Sequence, residues 1–239
     1  MDKANKAAAL YRALLSEFGP QHWWRQGSAL PCAPCSKRRT SGPADTQYEV
    51  VAGALLTQNT NWRNVEKAIA NLKSAGKLSP GAILGTPVAE LENLIRPCGF
   101  FRQKAVRLRL LTGKFVEIKK RGSIPSREEL LSVKGVGKET ADSILLYAFG
   151  LPYFVIDSYT RRFCAHHRLF EGKEYDDYRS FFESSLPHDV RLYKEYHALI
   201  VEWGKRQAKG GKMNEGKSEA KNRAKVRMRK CRPESSAVQ

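Results

Sequence analysis

The sequence predicts an all-α protein of 239 residues, and three observations support that prediction. Apolar residues recur at the spacing of one helical face over much of the chain, as Leu10, Leu14 and Phe18 do within residues 4–18. Glycine and proline interrupt the periodic stretches at the places where helices end. No two neighbouring segments alternate polar and apolar residues around a short turn, and no internal repeat is present. A β-sheet is therefore not indicated.

The periodic stretches place the helices along the chain. A short helix ending at Leu131 accompanies longer predicted helices over residues 4–18, 48–56, 62–72, 82–96, 102–119, 139–149, 159–170, 175–186 and 189–207. With 41% hydrophobic residues, a chain of this length can bury one sizeable core or the cores of two small lobes.

The charge of the chain indicates a polyanionic partner. It contains 42 Lys or Arg and 24 Asp or Glu, a formal net charge of +18. Residues 204–239 hold twelve basic and three acidic residues, so half of the excess lies in this tail and half in the body. Such an excess favours nucleic acid first and an anionic membrane surface second.

The sequence also limits the compartment and the cysteine chemistry. No apolar run approaches the ~18 residues that crossing a membrane requires, and the N-terminal stretch lacks the apolar core of a signal peptide. We therefore expect an intracellular protein, in the cytoplasm or nucleoid, with no membrane partner. The chain has five cysteines, an odd number, and most of them lie far apart in the sequence, which argues against a disulfide framework. Cys32 and Cys35 have the spacing of a zinc knuckle without a second pair, so we predict no metal site there.

The stretch from Leu130 to Arg162 carries the clearest functional signal. Gly135-Val136-Gly137 joins two predicted helices, and its glycines allow backbone N–H groups to approach a ligand. The N-terminus of the second helix adds positive potential, and Lys134 and Lys138 flank the turn. This arrangement suits a phosphate, although the same turn also serves as an ordinary helix–helix connection.

A single carboxylate follows this hairpin. The second helix ends at Gly150, Pro152 prevents its continuation, and Asp157 comes directly after the apolar run 153–156. Asp157 is suited to cap the helix that begins near Ser158, and a carboxylate can hold that role together with a catalytic one.

Further candidates lie in the N-terminal third. Trp23 and Trp24 follow the Gly-Pro pair that stops the first helix, and they either fill the core or form a stacking wall for an extruded base. Gln58 and Asn59 lie in the turn between two predicted helices, where polar residues commonly cap helix ends. Trp62 begins the second of these helices.

These motifs, taken together, resemble the endonuclease III superfamily of DNA glycosylases. The hairpin with the following Gly/Pro-rich loop and Asp matches its helix–hairpin–helix–GPD signature, and GALLTQNTNWRNVEKAIANL (53–72) and IRPCGFFRQKAVRL (95–108) extend the likeness over roughly residues 46–208. The resemblance implies two helical lobes with DNA in the cleft between them. Residues 46–150 would form one lobe, residues 1–45 with 151–208 the second, and residues 209–239 a basic, disordered tail.

The resemblance also assigns roles to individual residues. It implies that Asp157 is catalytic, and that Gln58 fills the gap left by a flipped nucleotide, with Asn59 beside it. The implied phosphate contacts are Lys134, Gly135, Val136, Gly137 and Lys138. The implied base pocket consists of Trp23, Trp24, Trp62 and Glu139.

Two departures from the superfamily pattern shape the expected chemistry. Bifunctional members carry a nucleophilic Lys where this chain has Glu139, and a carboxylate cannot form a Schiff base. Most relatives hold an iron–sulfur cluster with four cysteines, and the corresponding positions here are Ala208, Glu215, Ser218 and Ala224. We therefore expect no cofactor and no strand cleavage.

We expect a monofunctional, monomeric DNA glycosylase that removes damaged bases from double-stranded DNA and leaves an abasic site. A tryptophan-lined pocket favours a cationic ring, which points to N-alkylated purines such as 3-methyladenine. The chain resembles the 3-methyladenine branch of the superfamily, which lacks the cluster. The alternatives are a uracil or thymine mismatch glycosylase, a bifunctional endonuclease III-like lyase that recruits Lys138 or another amine, and a non-catalytic helix–hairpin–helix DNA-binding module.

Overall fold

The computed structural model describes residues 3–23 and 43–208, with side chains in the second range from residue 47 onward. Helices and turns make up this part of the chain, and no strand occurs in it, so the predicted all-α class is confirmed. The Cys32/Cys35 loop, Trp24 and the basic tail 209–239 lie outside the described residues.

The described helices follow one another with short connections. They are α1 (Lys3–Phe18), α2 (Pro43–Leu56), α3 (Trp62–Ser74), α4 (Pro80–Gly85), α5 (Val88–Leu94), a 3₁₀ turn (Arg96–Cys98), α6 (Phe101–Lys120), α7 (Arg127–Leu131), α8 (Lys138–Ser143) with a π-helical extension (Ile144–Ala148), α9 (Ser158–His166), α10 (Tyr175–Ser185) and α11 (190–208).

The single helix predicted over residues 82–96 was wrong, because the segment contains two helices. Ser79 caps α4 by accepting a hydrogen bond from the Ala82 N–H, and α5 begins only after Pro87. Proline has no N–H to donate and pushes the preceding residue out of the helical region. Thr86 is accordingly extended, with φ −85° and ψ 134°.

Two hydrophobic cores lie in the described residues. The first packs residues of α2 to α8, including Leu55, Ile69 and Leu108. The second gathers α9, α10 and α11 around the stacked rings of Phe154 and Phe182, whose centroids are 4.1 Å apart. Helix α1 also packs on the second core.

The π-helical extension lies between the two cores. Its wider turn, closed by a hydrogen bond from the Phe149 N–H to the Ile144 carbonyl, replaces the regular α-helix predicted to residue 149. Ile144 and Leu145 face the first core, while Leu146 and Tyr147 face the second. Because residues of this segment pack in both cores, the division of the chain into lobes between residues 150 and 151 stays a prediction. Among the described helices, none is both long and apolar enough to span a membrane.

Candidate active site

The backbone leading to Asp157 is held in an extended conformation by side chains of α10. The Phe154 N–H donates to Glu183 Oε1 at 3.0 Å, and the Ile156 N–H donates to the Tyr175 hydroxyl at 3.2 Å. These bonds satisfy buried backbone donors where no sheet partner exists. They fix the chain so that Asp157 arrives at the N-terminus of α9.

The two oxygens of Asp157 have different surroundings. Oδ1 caps α9 by accepting from the Thr160 N–H at 2.7 Å and from Thr160 Oγ1 at 2.9 Å. Oδ2 lies 3.6 Å from His197 Nε2. Burial alone would raise the pKa of Asp157, but His197 and the hydrogen bonds from Thr160 outweigh it and lower the pKa. Asp157 is therefore ionised at neutral pH.

Glu139 lies on the first turn of α8, within electrostatic reach of Asp157. Desolvation by the surrounding protein, followed by the negative charge of Asp157, raises the pKa of Glu139 to about 7, and His197 opposes this. The Glu139 residue is nevertheless exposed to solvent. The structure thus brings Glu139 and Asp157 to one site.

Lys138 faces a different part of the protein from its neighbour Glu139. Its Nζ lies 2.6 Å from Asp176 Oδ2 on α10. Asp176 also contacts Arg127 Nη2 at 2.9 Å, and Arg127 binds Asp142 through Nε at 2.6 Å. This network fastens both helices of the hairpin to α10.

The predicted DNA-binding residues of the hairpin differ in their exposure to solvent. Lys134 and Gly137 are exposed, whereas the Val136 side chain is buried in the first core. Gly135 has φ +90°, a conformation that glycine adopts readily and other residues do not. The turn geometry of the hairpin therefore explains its first glycine without any appeal to a ligand.

Gln58 is hydrogen-bonded to this hairpin and to α6. Its Nε2 donates to the Gly135 carbonyl and to Thr140 Oγ1, each at 2.9 Å, and its Oε1 accepts from Arg107 Nη1 at 3.4 Å. Entry of the Gln58 amide into a duplex, as the resemblance implies, requires these bonds to be exchanged. Asn59, by contrast, is exposed at the tip of the turn, with φ +50°.

Phe100 is a surface residue of this region that was not predicted from the sequence. Its side chain is 65% exposed and its φ is +47°, which is unusual for a bulky residue. It borders a polar depression of about 170 Å³, whose other lining residues are Gln58, Asn59, Gln103, Lys104 and Arg107. The signal available in the sequence was the pair Phe100-Phe101, since only Phe101 joins the first core.

Lys104 holds the two turns around this depression together. Its buried Nζ donates to the carbonyls of Leu56 and Cys98, each at 2.9 Å. Burial lowers the pKa of Lys104. The Gln58 turn and the Phe100 turn are thus fixed to the same helix, α6.

The aromatic residues predicted for the base pocket are distributed over both cores. Trp23 packs against the second core, with its ring edge-on to His197 at 5.8 Å between centroids, and Lys205 Nζ lies 5.5 Å from its ring centre. Trp62 packs against the first core instead. Among the members of the predicted aromatic wall that lie within the described residues, Trp23 is therefore the one beside His197.

The iron–sulfur cluster of the superfamily does not fit this chain. Ala208, the first of the four matching positions, is the last described residue of α11 and has no thiol, and none of the other three positions holds a cysteine. The described cysteines, Cys98 and Cys164, are buried, and burial raises their pKa values to about 11 and about 12. Buried thiols of this kind are poor ligands because metals bind the thiolate.

The family profile of HhH-GPD superfamily base excision DNA repair proteins matches residues 52–188. The chain belongs to this superfamily. It is accordingly a DNA N-glycosylase of base excision repair, and its partner is DNA. The match spans α2 to α10, which includes the hairpin, Glu139 and Asp157.

Individual relatives agree with this assignment. A provisionally named DNA repair glycosylase of Methanocaldococcus jannaschii is 45% identical over 81% of this chain and 84% of its own. The crystal structure of an H. pylori 3-methyladenine DNA glycosylase bound to 1,N6-ethenoadenine is similar with a TM-score of 0.67, at 29% identity over 87% of this chain and 99% of that chain. A trapped endonuclease III–DNA covalent intermediate shares the fold, with a TM-score of 0.64 at 20% identity over 84% of this chain and 85% of that chain.

Proposed function

We propose that this glycosylase is monofunctional and excises N-alkylated purines such as 3-methyladenine from double-stranded DNA as a monomer. The observation that carries the proposal is that Glu139 lies within electrostatic reach of Asp157, at the position where a bifunctional relative would place an amine. The nearest amine in sequence, Lys138, is engaged by Asp176 at 2.6 Å. The site therefore offers acidic groups for hydrolysis, and Glu139 itself cannot form a Schiff base.

In this mechanism Asp157 acts on the sugar. As the C1′–N bond breaks, its electron pair leaves with the base, and the ionised carboxylate stabilises the positive charge that develops on the sugar. Water then bonds to C1′ and passes its proton to Oδ2 of Asp157, the oxygen that is not occupied by helix capping. The product is an intact strand with an abasic site.

The surroundings favour a cationic base over a neutral one. The carboxylate of Glu139 attracts positive charge, and the indole of Trp23 lies beside His197 in the same region. A cation over an indole face gains roughly 0.5–2 kcal/mol. Alkylated purines carry such a charge and leave more readily than normal bases. The similar H. pylori protein is a 3-methyladenine DNA glycosylase, which supports the same substrate class.

The test is a single-turnover excision assay on duplexes that contain 3-methyladenine, 1,N6-ethenoadenine, uracil, thymine opposite guanine or an oxidised pyrimidine. We expect release of the alkylpurine, strand breaks only after alkali, and no borohydride-trapped adduct. Asp157→Asn is the matched control: Asn caps a helix as well as Asp does, so folding and DNA binding should persist while excision is lost.

Each alternative has its own outcome in this assay. Preferred release of uracil or mismatched thymine would move the enzyme to the mismatch class. An efficiently trapped adduct would establish a lyase and direct attention to Lys138. Binding without excision on every duplex would indicate a non-catalytic DNA-binding module.

A further inference from the structure

His197 is a buried residue of α11 whose ring contacts two functional groups. Its side chain is 7% exposed. Nδ1 lies 2.6 Å from the Tyr147 hydroxyl in the π-helical extension, and Nε2 lies 3.6 Å from Asp157 Oδ2. The ring thus joins the segment between the two cores to the carboxylate that acts on the sugar.

The position of the ring proton follows from these contacts. Nε2 faces a carboxylate oxygen, so it carries the proton, because two facing lone pairs would repel each other. In the neutral ring Nδ1 is then an acceptor, and the Tyr147 hydroxyl donates to it. Within the described residues Nε2 has no hydrogen-bond partner, since 3.6 Å exceeds the usual N–H···O length by about half an ångström.

We propose that His197 is a positioning residue for catalysis, which orients Asp157 Oδ2 toward the sugar through its Nε2–H. The inference rests on the proposed role of Asp157 in base excision. Thr160 fixes Oδ1 with two hydrogen bonds, so only Oδ2 is available for the reaction. Rotation of the carboxylate about its axis is limited on that side by the imidazole.

A purely structural histidine would show a different pattern. A buried donor left unpaired costs about 1–3 kcal/mol, and a ring that only fills the core would avoid that cost. The Tyr147 bond fixes the ring plane, so that Nε2 is aimed at Asp157 and not at a protein carbonyl.

The first test needs no activity. Long-range ¹H–¹⁵N NMR spectra of the wild-type protein should show His197 in the Nε2–H form. In Asp157→Asn the retained carbonyl oxygen caps α9, and the side-chain NH₂ faces Nε2, so the ring should change to the Nδ1–H form with Tyr147 accepting. An Nδ1–H ring in the wild type, or a tautomer that ignores the substitution, would overturn the inference.

The second test is kinetic. His197→Leu should lower the single-turnover excision rate by about a hundredfold, the cost of a misplaced catalytic group, without changing DNA affinity. His197→Gln supplies an amide N–H near the place of Nε2–H and should restore most of the rate. The exposed His188, changed to Gln, is the matched control and should leave the rate unaltered.

The double variant separates positioning from general damage to the fold. If His197 acts through Asp157, adding His197→Leu to Asp157→Asn should not lower the residual rate further. A further drop, or equal losses in the Leu and Gln variants, would show that the histidine is structural. Wild-type protein that excises no base would refute the proposed function, and the NMR result would still decide whether His197 is directed at Asp157.

Discussion

Arg127 is the residue of α7 whose removal should destabilise the hairpin most clearly. Its guanidinium binds both oxygens of Asp142, with Nε 2.6 Å from Oδ1 and Nη2 3.1 Å from Oδ2. Asp142 is completely buried, and Arg127 is the cation paired with it among the described ion pairs. Arg127 has a second partner in Asp176, at 2.9 Å. The pair is therefore asymmetric.

This asymmetry sets the expected losses of unfolding free energy. Arg127→Met leaves a buried carboxylate without its cation, which costs about 3–5 kcal/mol. Asp142→Asn leaves Arg127 paired with Asp176 and removes charge-assisted hydrogen bonds worth about 1.5–3 kcal/mol. The double variant Arg127→Met with Asp142→Leu replaces both charges by apolar groups and should recover much of the loss.

Equilibrium urea unfolding of the three variants measures these differences through the transition midpoint at constant slope. Arg121→Met is the control, because its partner Glu129 is partly exposed and such surface pairs contribute about 0–1 kcal/mol. Equal losses in the two single variants would contradict the assigned asymmetry. A loss below about 1 kcal/mol for Arg127→Met would show that the network does not anchor the hairpin.

Three further predictions concern Phe100, Gly135 and Glu139. Phe100→Ala should weaken DNA binding by about 1–3 kcal/mol, the value of one stacking aromatic, while Val106→Ala, a control at another exposed apolar residue, should leave affinity unchanged in the same titration. Gly135→Ala should lower the unfolding free energy by about 1–2 kcal/mol. It should also displace the Arg107 side chain, because the new methyl group would overlap it. An unchanged midpoint of urea unfolding would contradict this prediction. The pKa of Glu139 is raised to about 7, so its carboxylate ionises as the pH rises through neutrality. The rate of alkylpurine excision should therefore increase between about pH 6 and pH 8. The same pH profile in Glu139→Gln would exclude Glu139 as its cause.

The sequence predicted what depends on neighbouring residues. The helical periodicity identified the class, and Asp157 was expected as a helix cap, a role it performs through Thr160. Pro87 was overlooked because the apolar spacing continued across it. For the helical class, the Asp157 cap and the break at Pro87, the residues concerned are close together in the sequence. The error at Pro87 arose because the apolar spacing was given more weight than the proline.

The remaining features depend on contacts between distant parts of the chain. His197 was an ordinary residue of a periodic helix, and its approach to Asp157 arises only when α11 packs against the extended segment. The bonds from Gln58 to Gly135 and Thr140 join residues 77 and 82 positions apart. No spacing rule in the sequence predicts such pairings.

The different surroundings of the two Asp157 oxygens have a consequence for inactive forms of this enzyme. One oxygen holds α9 in place and, in the proposed mechanism, the other serves the sugar, so replacing only the second oxygen by an amide separates architecture from chemistry. The resulting protein would find a lesion, extrude the base and stay there, because nothing that it uses to bind has been lost. In a cell such a variant would shield damage from other repair proteins, and in the laboratory it would be a reagent that marks where damaged bases lie.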